Sequence, residues 1–75
     1  MTDILISGTT ATFNSTVTGE EISPELLTPA VEVIDELTFF LNTEMGSHCI
    51  SVEDYTVNGQ TFNSSETAVS FIQNL

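Results

Sequence analysis

The chain has 75 residues, 11 acidic side chains, no lysine, no arginine and one histidine, for a formal net charge of −11. With 40% hydrophobic residues it is near the lower size limit at which a chain buries enough apolar surface to fold as one domain, 1–75, without metal or disulfide. Such an excess of carboxylates repels nucleic acid, nucleotide phosphates and anionic membrane surfaces, because binding to them rests on Lys and Arg; a basic protein surface is the favoured partner.

The N-terminal stretch has no basic segment and a very short apolar run, so an ordinary secretory signal is not expected. No stretch approaches a membrane span either, and a single cysteine, Cys49, suits a reducing compartment. The expected location is cytoplasmic, in the host cell if the chain is phage-encoded. Residues 3–7 form a first short strand, with Ile4 and Ile6 on one side and Asp3, Leu5 and Ser7 on the other; Gly8-Thr9 turns the chain. From Thr10 to Thr18 the alternation is clean. Ala11, Phe13, Ser15 and Val17 face one way and a threonine-rich face points to solvent.

The long middle stretch reads as an amphipathic helix over 29–44, preceded by a short turn at 24–27. Ser23-Pro24 and Thr28-Pro29 both resemble a cap followed by proline in the first turn, and Gly46 supplies the stop. At 100° per residue, Ala30, Val33, Ile34, Leu37, Phe40 and Leu41 make a core-facing stripe, while Glu32, Asp35 and Glu36 fall opposite. Phe39 lies among those acids, where it is exposed unless the second helix, a loop or a dimer partner covers it. Residues 48–57 form a third strand with a bulge near Glu53-Asp54. Asn58-Gly59 predicts a two-residue type I′ hairpin, with 60–62 returning as its partner. Asn63 with Glu66 resembles a capping box, and Ala68, Phe71, Ile72 and Leu75 keep the spacing of a buried helical stripe. The expectation is an α+β fold of order ββαββα, a small antiparallel sheet with both helices on one face.

Catalytic groups are scarce. His48-Cys49 is the sole nucleophile and base pair, but neighbours on a strand point to opposite faces, and no cation is present to stabilise developing negative charge. Cys49 is expected to be a small core residue. A zinc site lacks a second His or Cys, and no loop has calcium spacing. The reading is therefore a protein that is not an enzyme and carries no metal and no cofactor. Acids are abundant instead: Glu20, Glu21, Glu25, Glu32, Asp35 and Glu36 crowd into residues 20–36 without the Lys or Arg that normally intersperse. With Phe39 they form a candidate partner-binding surface, an aromatic anchor rimmed by carboxylates.

In charge and size the chain resembles the small acidic inhibitors encoded by phages and mobile elements, among them DNA mimics, anti-restriction proteins and anti-CRISPR proteins. That resemblance implies a non-enzymatic inhibitor acting as a DNA mimic. It would occupy the basic, nucleic-acid-binding surface of a host protein, as a monomer or weak dimer, without itself touching nucleic acid or membrane. The alternative is a small structural or assembly module that oligomerises through a sheet edge or Phe39.

Overall fold

A computed structural model describes residues 2–15, 19 and 21–75. It corrects the α+β expectation: among the described residues the chain is mostly β, in two sheets, with one short helix. Strands β1 (Thr2–Ser7) and β2 (Thr10–Ser15) form the hairpin expected at Gly8-Thr9, and Ile4, Ile6, Ala11 and Phe13 point into the core. The remainder of the second predicted strand, 16–18, lies outside the described residues, as does Glu20. A two-residue strand β3 (Glu21–Ile22) then pairs with β2.

The predicted helix over 29–44 is instead two strands, β4 (Leu26–Val33) and β5 (Thr38–Thr43), joined by a turn at 34–37. Thr28, Val31, Val33, Ile34 and Thr38 are β-branched and Phe39-Phe40 aromatic, residue types that favour a pleated surface over a helix. In the paired strands period two replaces period 3.6. Phe39, Leu41 and Thr43 are buried, whereas Phe40, expected inside, is 38% exposed. A two-residue turn, Glu44-Met45, leads into β6 (Gly46–Ser51), so Gly46 opens a strand rather than ending a helix.

The expected strand over 48–57 is split. The chain leaves β6 through a turn at 52–54, where the bulge was placed, and β7 (Tyr55–Val57) joins the other sheet in parallel with β1. Asn58-Gly59 makes its tight turn, with both residues at positive φ as a type I′ turn requires, but the return strand is only a Val57–Gln60 bridge. The single helix, α1 (Ser65–Gln73), is capped by Ser64, whose side chain accepts from the Thr67 amide; the cap is one residue later than Asn63. Ala68 and Ile72 are buried as expected, and Leu75 is not.

Sheet order is β3-β2-β1-β7 in the first sheet and β4-β5-β6 in the second. Inward residues of both sheets and of α1 share one core, in which Ile4, Leu41, Phe39, Ile50, Val57 and Ala68 are essentially inaccessible. Pro24 to Leu26 is the seam between the sheets. The Ala11 amide donates to the Pro24 carbonyl (3.0 Å), the Leu26 amide to the Thr9 carbonyl (2.7 Å), and the Glu44 amide to the Glu25 carbonyl (2.9 Å).

Asn58 adds a join within the first sheet. Its amide donates to the Ile4 carbonyl at 2.8 Å, and its side-chain Oδ1 accepts from the Ile6 amide at 2.8 Å. The side chain thereby extends the β1–β7 ladder past the end of β7, satisfying a backbone donor that the turn would otherwise strand.

Candidate functional site

Strand pairing and turns, not one helix face, distribute the acids. Glu21, Glu25, Glu32, Asp35, Glu36, Glu44, Glu53, Asp54 and Glu66 are exposed, and Asp3 is half-buried. Asp3 is structural: its Oδ1 accepts from the Thr56 hydroxyl (2.5 Å) and the Gly59 amide (3.2 Å), tying β1 to β7 and its turn.

At the seam, Glu25 and Glu44 lie side by side. The Glu25 carboxylate accepts from the Thr9 hydroxyl (2.6 Å) and the Thr10 hydroxyl (3.0 Å), while its backbone amide donates to Glu44 Oε1 at 3.2 Å. The Thr9 bond, then the Thr10 bond, hold Glu25 below the ordinary glutamate range, with a small opposing effect of desolvation. Each of these two carboxylates is thus held by neutral donors alone.

A second group surrounds the start of α1. Asp35, Glu36 and Glu66 line an open hollow of about 450 Å³ with Val33 and Ser64. The Ser65 amide donates to the Glu36 carbonyl (2.7 Å) and its hydroxyl to the Asp35 carbonyl, pinning the 34–37 turn against the helix start. Asp35 Oδ1 accepts from the Leu37 amide at 3.0 Å, which shapes the turn.

The third group lies on the outer face of the second sheet. Glu32 pairs across β4–β5 with Phe40, and Phe40 across β5–β6 with Cys49. Beside this row Asn42 Nδ2 donates to Glu32 Oε1 (2.8 Å) and to the Pro29 carbonyl (2.9 Å), and the Ser47 hydroxyl donates to Asn42 Oδ1 (2.8 Å). Side chains therefore link all three strands.

The predicted site residues are accordingly dispersed. Asp35 and Glu36 stay together, Glu25 sits at the seam, Glu21 on β3, and Glu32 on the outer sheet face. Phe39, the proposed anchor, is 1% exposed in the core and presents nothing to a partner. Phe40, Glu44 and Glu66 were missed, although the alternation of Thr38 to Thr43 carried the signal for Phe40. Cys49 is exposed rather than in the core, and His48 turns the other way, its Nε2 within 3.1 Å of the Thr43 hydroxyl and its ring 4.7 Å from that of Phe13. Among the described residues no group of three or more His, Cys, Asp or Glu is placed to hold a metal ion, and no helix is long and apolar enough to cross a membrane.

No protein family, curated protein or solved structure was found to match the chain.

Proposed function

We propose that the protein is a non-enzymatic acidic inhibitor that binds the Lys/Arg-rich, nucleic-acid-binding surface of a host protein, in the manner of the DNA mimics of phages and mobile elements. One observation carries this reading: among the described residues the carboxylates other than Asp3 stand exposed and accept only from neutral hydroxyl and amide donors, with no basic side chain in the chain other than His48. A surface shaped only for solubility normally mixes signs. The principal extents are 28 × 25 × 19 Å, more than one Debye length at about 0.1 M salt, so at that salt a cationic surface feels mainly the group it approaches, and the groups act together as one negative field at lower ionic strength.

The paired Glu25–Glu44 and the Asp35, Glu36 and Glu66 hollow supply the charge, and Phe40 beside Glu32 takes the place assigned to Phe39 as the exposed aromatic. The test is capture of bacterial nucleic-acid-binding proteins on immobilised protein, with competition by duplex DNA. One saturable partner displaced by DNA, whose association slows when Asp35→Asn, Glu36→Gln and Glu66→Gln are combined, supports the reading. Binding that DNA does not displace refutes it.

A further inference from the structure

A sheet edge is a row of unpaired backbone groups, and natural proteins blunt such edges with shortness, proline, bulges or charge. Among the described residues, three of the four sheet edges are blunted. β3 has two residues, β7 has three, and β4 carries Pro29 together with a break in register between Leu26 and Val31. The fourth, β6, has none of these devices: Gly46-Ser-His-Cys-Ile-Ser51 is six residues long, without proline, charge or bulge.

The parity of its ladder is fixed by the Val52 amide, which donates to the Leu37 carbonyl at 2.9 Å. Gly46, His48 and Ile50 therefore bond towards β5, and Ser47, Cys49 and Ser51 turn their backbone groups outward. Only the Ser51 carbonyl is used, by the Asp54 amide; among the described residues the other outward groups have no backbone partner. Ser47 and Cys49 are exposed, so a strand can reach them.

Charge flanks this edge at both ends, with Glu44 in the turn before β6 and Glu53-Asp54 in the turn after it. We infer that the β6 edge is a strand-addition site for an extended segment of a protein partner, with lysine or arginine at each end of that segment to meet Glu44 and Glu53-Asp54. This rests on the acidic-inhibitor reading and deepens it by naming how the partner is held. Main-chain hydrogen bonds supply the grip and the terminal charges the choice of partner. A second copy is the poorer occupant, because antiparallel pairing of two β6 edges sets Glu44 of one chain against Glu53-Asp54 of the other with no cation between them.

The probe is a synthetic peptide of six alternating threonines and valines with two lysines at each end. It is compared at low ionic strength with the same peptide N-methylated at its six central amides, and with one flanked by serines. The expected result is binding by the first peptide that slows exchange of the Ser47 and Cys49 amides. N-methylation should abolish it, and Cys49→Pro, which removes an outward N–H and spares every amide facing β5, should weaken it about tenfold. If Cys49→Pro does not fold, the N-methylated peptide decides. No binding, equal binding of the methylated peptide, or unchanged exchange at Ser47 and Cys49 overturns strand addition. A concentration-dependent dimer lost in Cys49→Pro also overturns it, by assigning the edge to a second copy. The acidic reading fails separately, if serine-flanked and lysine-flanked peptides bind alike.

Discussion

Phe39 and Phe40 are adjacent, identical in chemistry, and opposite in environment: 1% and 38% exposed. Truncating a fully enclosed phenylalanine to alanine costs about 3 to 5 kcal/mol, the transfer term plus the cavity left behind. Phe40 lies on the outer sheet face, where the loss is the transfer term for its covered part with no enclosed cavity, about 1 to 2 kcal/mol. A domain of 75 residues has a total stability of about 4 to 11 kcal/mol. Phe39→Ala is therefore expected to remove between about a quarter and all of that stability, and Phe40→Ala a smaller share that leaves the protein folded. With a urea slope of about 1 kcal/mol/M for so small a chain, the midpoint falls by about 3 M or more in the first and by about 1 to 2 M in the second. Urea titration followed by circular dichroism reads both, and Phe39→Leu preserves the ranking if Phe39→Ala cannot be purified. Equal midpoints, or a more damaging Phe40→Ala, would refute the strand assignment of residues 38–43, since a helix there reverses the two positions.

Asn58→Gly keeps the positive φ of the turn but removes the amide that completes the β1–β7 ladder, so the Ile6 amide should lose protection from exchange and stability should fall by about 1 to 2 kcal/mol; unchanged Ile6 exchange would remove that role. Glu25 has a lower pKa folded than unfolded, so its contribution is present above the unfolded value and is lost as pH falls through the folded one. A carbon-13 titration should place Glu25 below ordinary glutamates, and Thr9→Val should return it most of the way, because the Thr9 bond is the larger cause.

What was legible in the sequence was local. The β1–β2 hairpin follows from strict alternation around Gly8-Thr9, the type I′ turn from Asn58-Gly59, and α1 from the spacing of Ala68 and Ile72. The middle of the chain misled because two short strands around a four-residue turn can imitate helical spacing. Val33, Ile34, Leu37, Phe40 and Leu41 satisfy i, i+3, i+4 and i+7 only by running through the turn, and all but Leu41 are exposed. Pro29 fits a helix start and an edge strand equally, and the β-branched and aromatic content of 28–43 favours strand. The acids of that stretch share a face only in a helix, which does not form. Nothing local announces the parallel pairing of β1 with β7, since it joins Thr2 to Tyr55 and depends on the whole intervening chain.

That pairing orders events during synthesis. The second sheet is built from two consecutive hairpins within residues 26–51 and can close as soon as those residues leave the ribosome. The first sheet cannot. β1 precedes the other described strands, yet among the described residues its side opposite β2 is satisfied by Asp54, β7 and Asn58, so until those residues are made it presents an open apolar border bearing Ile4 and Ile6. A nascent chain halted before residue 55 would hold a finished half beside an unfinished one, and the acidic repulsion that burdens the folded protein would then keep such unfinished chains apart.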